Sequence, residues 1–394
     1  MLLYGFILVF LSIPSSDYLE LLLDDGELER SEFYRENYTL LDTVNVAKSS
    51  SSKNLIFIVM ESMETSFINS EKYGDLIKEL EEVHDNEFNF SDSETFGGGA
   101  DIYGSENTIS AIISKTTGTP QLFRRTTKKT ILNRVQSIWD VLGSNGYYNV
   151  FIQGTDGDFE DKRAYLVSHG INVLYDMDAL KSYWDLDEKY NHLETDQGVL
   201  FGAALTDKKI LDLSKNILDT LSQRPNFSLT ILTMETHFPH GFYNEACADK
   251  PVNESEDAIL AATIKCASKD VRNFIEWVKK QDFYDNTEIV VVGDHLFAGK
   301  YLVSKEDSSR RWINLFVNSE KIPTNKKRQF TSFDIAPTLL ESMGFEINNH
   351  RMGFGASLFS NHQTLLEKYG FEKLQKGMRE VGKSIEYDVL NGSD

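Results

Sequence analysis

At 394 residues and 44.9 kDa, with 41% apolar residues, the chain is long enough to bury one large α/β core. Its formal charge of -21 and pI near 4.8 exclude a nucleic-acid groove, because a surface that tracks phosphates needs clustered Lys and Arg. Chemistry on a phosphate group would therefore need a local cation, and a divalent metal ion is the strongest one available inside an acidic protein.

Residues 1–14 hold an apolar run, LLYGFILVFLSI, that ends at Pro14 and is too short to span a bilayer alone. It reads as an export or anchor segment, or the remnant of a membrane region, with a buried first element as the alternative. Residues 15–53 are polar and acidic through the Ser49 to Ser52 run, the composition of a linker. Residues 54–360 are expected to form the main folded domain. Its first strand is the apolar run Leu55 to Met60, and similar runs recur at Tyr148 to Ile152, Leu229 to Thr233, Ile289 to Val292 and Ile313 to Val317. Helical patterns fall between them, at Ser137 to Ser144, Asp207 to Leu221, Ile259 to Lys280 and Phe333 to Met343. Strands alternating with helices predict an α/β fold with a mainly parallel central sheet flanked by helices on both faces. Residues 361–394 read as a charged, helical C-terminal extension.

In such sheets ligands collect at the carboxyl ends of the strands. The suggestive polar residues fall there: Glu61 after the first run, Gly154 and its neighbours after the next, Glu235 to His237 after the third, and Asp294-His295 after the fourth. Carboxylate plus imidazole suits Mn, Zn or Mg-type ions, although either residue alone is as readily a helix cap or a polar turn. Gly104 to Ser114 reads as a loop turning into a helix, with Thr108 near its positive end. A hydroxyl there is ordinarily an N-cap, and it becomes a nucleophile if a metal lowers its pKa. Ser105 and Ser110 are the rival hydroxyls. Cys247 and Cys266 are the only cysteines. If paired, they close a loop of about 20 residues and stabilise the fold by roughly 3 kcal/mol; two free buried thiols are the alternative.

Four segments carry a family resemblance in register: Thr108-Ile109-Ser110-Ala111 with Gly118-Thr119-Pro120, Glu235-Thr236-His237-Phe238-Pro239-His240-Gly241, Gly293-Asp294-His295-Leu296, and Asp334-Ile335-Ala336-Pro337-Thr338. They resemble the bacterial phosphoglycerol transferases that decorate periplasmic glucans. Lipoteichoic acid synthases and phosphoethanolamine transferases are more distant relatives in the alkaline phosphatase and sulfatase superfamily. The resemblance implies a metal site of Glu61, Thr108, Asp294 and His295, with manganese as the first choice and magnesium or zinc as alternatives. It implies that Thr108 takes a phosphoglycerol group from phosphatidylglycerol covalently and passes it to a glycan acceptor. It gives His237 a contact to the substrate phosphate or the leaving group, and places Lys162 against the head group. It also implies a Cys247–Cys266 disulfide and an extracytoplasmic domain in a bacterial envelope. The Gly97 to Ala100 insertion and Thr117, where a cysteine is expected, depart from the pattern and leave the acceptor open. Transfer of phosphoethanolamine, polymerisation of glycerol phosphate and hydrolysis are sibling activities. An inactive binding or sensory domain is the reading from another class, and the intact four-residue set speaks against it.

His240 is a further candidate substrate contact, equally readable as a solvated loop residue. Arg124, Arg125, Lys128 and Lys129 form the one dense basic cluster, which reads first as a solvated charge run. Trp184 is a candidate for stacking on a sugar. His84, His192, His350 and His362 lie in polar stretches and receive no role.

Overall fold

The computed structural model describes residues 30–39, 45–121, 135–184 and 205–385, apart from 69, 85, 94, 95, 246, 305, 306 and 383. Residues 1–14, the basic cluster Arg124, Arg125, Lys128 and Lys129, His192 and the Trp184 side chain lie outside the described residues.

The strand Asn54–Met60 is buried at every position. Successive side chains point to opposite faces, so Ile56, Ile58 and Met60 join one core and Leu55, Phe57 and Val59 the other. The first core is completed by Leu211, Leu218, Leu260 and Ile264 from the helices Asp207–Leu221 and Glu256–Val278. The second is completed by Ile109, Ile112, Trp139 and Leu339 from Thr108–Thr117, Ile138–Ser144 and Ile335–Ser342. With both faces covered, alternation disappears and the strand reads as one apolar run. Each such side chain contributes roughly 1.5–3 kcal/mol on burial.

Five parallel strands lie in the order Thr287–Gly293, Asn54–Met60, Phe227–Leu232, Tyr148–Gln153, Val173–Tyr175. Beyond Thr287–Gly293 the sheet turns antiparallel: Trp312–Val317 pairs against it, and the short strands Glu87–Phe88 and Gly98–Gly99 pair against Trp312–Val317. The glycine insertion has its physical reason here. A Cβ on Gly98 would lie 1.6 Å from the Trp312 carbonyl oxygen, and one on Gly99 2.1 Å from the Trp312 ring. Only glycine lets that strand press so closely.

The expected linker needs correction in its second half. Glu32–Asn37 is a helix capped by Ser31, and Val46–Lys48 is a strand antiparallel to Phe345–Ile347. Polar composition hid the aromatic residues that anchor this segment: Tyr34 and Tyr38 meet the Phe354 ring, and Phe33 meets Tyr369. The C-terminal helices Leu365–Tyr369 and Phe371–Glu380 join the same cluster, broken at Gly370, whose φ is 72°.

Parallel register brings the carboxyl ends to one edge. Met60 lies opposite Gly293 and Val59 opposite Leu232, so Glu61, Thr233 and Asp294 emerge at one level.

Candidate active site

Glu61, Asp294 and His295 are 1%, 0% and 4% exposed, and their ligand atoms all lie within 4.8 Å of one another. His295 Nε2 is 3.5 Å from Glu61 Oε1 and 3.4 Å from Asp294 Oδ2. His295 Nδ1 sits 2.9 Å from the Leu296 carbonyl oxygen. A carbonyl only accepts, so Nδ1 carries a proton, and in the neutral ring Nε2 is a lone pair facing two carboxylates. Two carboxylate oxygens and an imidazole nitrogen converging in a buried space form a group that could hold a cation. Asp294 Oδ2 has no hydrogen-bond partner there. A divalent metal fits this donor set, and the backbone-tied imidazole is the usual arrangement behind a metal-facing nitrogen. Electrostatics point the same way. Burial and the neighbouring Glu61 push Asp294 up to about 6. Burial would lower His295, but Asp294 and Glu61 outweigh it and raise the ring to about 9.

Thr108 opens the helix Thr108–Thr117, but the N-cap is Asn107. Asn107 Oδ1 accepts from the Ser110 N–H at 2.9 Å, and Ser110 Oγ accepts from the Asn107 N–H at 3.0 Å. The Thr108 hydroxyl is therefore not spent on capping, and it donates to Glu61 Oε2 at 3.1 Å. The rivals are committed elsewhere: Ser110 to the capping box, Ser105 to the Ile102 carbonyl at 2.8 Å.

The cluster opens into a cleft lined by Glu61, Thr108, Gln153, Phe159, Lys162 and His237 among others. Lys162 is 4% exposed, and burial lowers its pKa. His237 Nδ1 lies 2.7 Å from the Phe238 carbonyl, its ring stacks on Phe238, and burial brings its pKa down to about 4, so the ring is neutral. His240 is not brought into this wall among the described residues. A turn closed by the Gly241 N–H to the His237 carbonyl carries it away, and its Nδ1 sits 4.0 Å from Glu256 Oε1. Cys247 and Cys266 are joined as a disulfide with Cα atoms 6.0 Å apart.

Several supporting residues went unread in the sequence. Ser62 donates its N–H to Asp294 Oδ1 and its hydroxyl to Glu61 Oε1, both at 2.7 Å. Lys115, fully buried, reaches back along its helix to donate to the Asp294 carbonyl at 2.6 Å and Ser332 Oγ at 2.8 Å, over the Trp312 ring. Burial brings its pKa down to about 8. Asp101 Oδ2 accepts from the Leu296 N–H at 2.9 Å. Gln153 is 1% exposed, and its Oε1 has no partner in the cleft wall. One signal was available: Lys115 is the single charge in TISAIISKTT.

Comparison with known proteins agrees with this fold. Phosphoglycerol transferase I of Escherichia coli is 26% identical over 348 residues, covering 85% of this chain and 42% of that protein. The chain thus spans about two fifths of the length of the curated relatives it matches. The lipoteichoic acid synthase LtaP of Listeria monocytogenes superposes with a TM-score of 0.64 at 16% identity, over 89% of this chain and 96% of that one. Streptococcus pyogenes phosphoglycerol transferase GacH, solved with sn-glycerol-1-phosphate, gives 0.52 at 14% identity over 97% and 94%. At such identities the superpositions establish a shared fold and nothing further. Residues 53–345 match the Sulfatase family, and the chain belongs to it.

Proposed function

We propose that the protein transfers phosphoglycerol from a phosphatidylglycerol-type lipid to a glycan hydroxyl through a covalent phospho-Thr108 intermediate. The observation that carries this reading is the uncommitted Thr108 hydroxyl on Glu61 Oε2, at the edge of the Glu61, Asp294 and His295 cluster. The choice of transferred group is supported by the phosphoglycerol transferases among the relatives. Glu61, Asp294, His295 and Thr108 Oγ1 would hold one divalent ion, manganese first, with magnesium or zinc as alternatives. When bound, the ion neutralises charge on the transferring group and makes the threonine hydroxyl more acidic.

The chain's own residues account for the rest. Thr108 Oγ1 passes its proton to Glu61 Oε2 and bonds to phosphorus while the bond from phosphorus to the diacylglycerol oxygen breaks. Neutral His237 has no proton to give at Nε2, so water carries the proton from Glu61 to the departing oxygen. In the second half a glycan hydroxyl attacks phosphorus, the bond to Oγ1 breaks, and water returns the acceptor's proton through Glu61 to Oγ1. Lys162 sets its charge against the anionic head group, and His237 contacts the phosphate. A lipid donor places the domain at the outer face of a bacterial inner membrane, anchored through residues 1–14, and the disulfide suits that oxidising compartment. No helix among the described residues is long and apolar enough to cross a membrane.

The test is intact mass spectrometry after incubation with labelled phosphatidylglycerol and manganese. A phosphoglycerol adduct on the wild type, absent from Thr108→Ala, is the expected result. Diacylglycerol released without any adduct, and at the same rate with or without glycan, would instead indicate hydrolysis with water as the direct acceptor.

A further inference from the structure

Ser62 lies in the left-handed region at φ 53°, fully buried, directly after Glu61. Residues other than glycine are uncommon there, and asparagine and aspartate are the usual exceptions. The surrounding hydrogen bonds over-determine this turn. The Asp294 N–H donates to the Met60 carbonyl at 2.9 Å, the Glu61 N–H to Thr233 Oγ1 at 3.0 Å, and the Ile313 N–H to the Met63 carbonyl at 3.1 Å. The Thr236 hydroxyl also donates to the Glu61 carbonyl oxygen. Gly293 presses on the same turn, since a Cβ there would meet the Met63 carbonyl oxygen at 2.1 Å. A glycine at position 62 would satisfy all of this backbone geometry without strain. What glycine lacks is the hydroxyl, and that hydroxyl donates to Glu61 Oε1 while the adjoining N–H donates to Asp294 Oδ1.

We propose that Ser62 is a positioning residue that fixes the Glu61 and Asp294 carboxylates as a pair, and that its strained backbone is kept for the sake of the hydroxyl. Ser62 donates to Glu61 Oε1 and Asp294 Oδ1, which turns Glu61 Oε2 toward Thr108 and Asp294 Oδ2 into the converging site. Strain held by a rigid frame beside reacting groups is a recurrent feature of functional sites, and here it has identified partners. The inference rests on the metal reading of the site, because fixing two carboxylates matters most when one ion must touch both.

Two substitutions separate hydroxyl from backbone. Ser62→Ala removes the hydroxyl and keeps the strain, whereas Ser62→Gly removes both. Isothermal titration with manganese alone, on the full chain, is expected to show both variants binding roughly 10–100-fold more weakly than wild type and by similar factors. Thermal unfolding is expected to rank Ser62→Gly above Ser62→Ala. Affinity that follows the melting temperature would reduce Ser62 to a purely structural element and overturn the proposal, as would either variant binding within about threefold of wild type. A wild type that takes up no manganese, magnesium or zinc sinks the metal reading and this inference with it. Wild-type uptake with unaffected variants sinks the role of Ser62 alone.

Discussion

The strand Thr287–Gly293 has a buried acid at each end, and the two meet opposite fates. Glu288, near its start, is fully buried, with one oxygen accepting from Ser342 Oγ at 3.0 Å. Burial pushes its pKa up to about 8, so at neutral pH this carboxyl keeps its proton. Asp294, just past the other end, is as deeply buried, yet at about 6 it is mostly ionised at neutral pH. Two backbone N–H groups, from Ser62 and His295, hold one of its oxygens at 2.7 Å, and His295 and Glu61 crowd the other side. A lone buried acid is neutralised by its own proton. A buried cluster of two acids and an imidazole is a group that could instead hold a cation.

The largest expected break in that comparison is Thr108→Ala. It should abolish the covalent adduct and lower kcat by roughly 10³-fold or more, because the neighbouring hydroxyls of Ser105 and Ser110 are committed elsewhere. Diacylglycerol-release and adduct assays read this directly. Asp294→Asn should weaken manganese binding by roughly 100-fold or more, measured by titration, since it removes a charge that the cluster depends on. Lys115→Met should retain or raise the melting temperature, as a well-packed apolar chain often does when it replaces a buried charge. It should still lower kcat by about 10–100-fold, because the Asp294 turn loses the strut that ties it to the Thr108 helix. Lys162→Ala, in the same cleft, should raise KM for the lipid by about tenfold while a metal ion still binds at the Glu61, Asp294 and His295 cluster.

The smallest effect belongs to Glu288 and concerns stability alone. Its folded pKa of about 8 lies above the ordinary 4.5, so the folded state holds a proton that the unfolded state has lost between those values. That contribution is complete below about pH 4.5 and is lost as pH rises through about 8, by a few kcal/mol at most. Glu288→Gln cannot lose a proton, so its melting temperature should gain on wild type steadily from pH 5 to pH 8. Equal slopes for the two proteins would mean that Glu288 is ionised in the fold.

How much of this was legible follows from the same physics. The central strands stood out because two covered faces make a continuous apolar run, and the acids after those runs stood out because a polar residue there breaks the pattern. Gly98–Gly99 and Val46–Lys48 carry no such run and become strands only through Trp312 and Phe345. Thr108 was visible as a hydroxyl at a helix start, but its release from capping depends on Asn107 winning that role. Ser62 was hidden, since its importance lies in a backbone angle and in a bond to a residue 232 positions away. His240 was drawn in by its neighbourhood to His237, and the turn between them sends it to Glu256.

Anomalous scattering from crystals grown with manganese tests the proposed centre most directly. The account predicts one peak within about 2–2.5 Å of Glu61, Asp294 and His295 Nε2, with Thr108 Oγ1 completing the contact. A peak at another group, or His295 Nε2 hydrogen-bonded to the two carboxylates with no ion between them at saturating manganese, would contradict it.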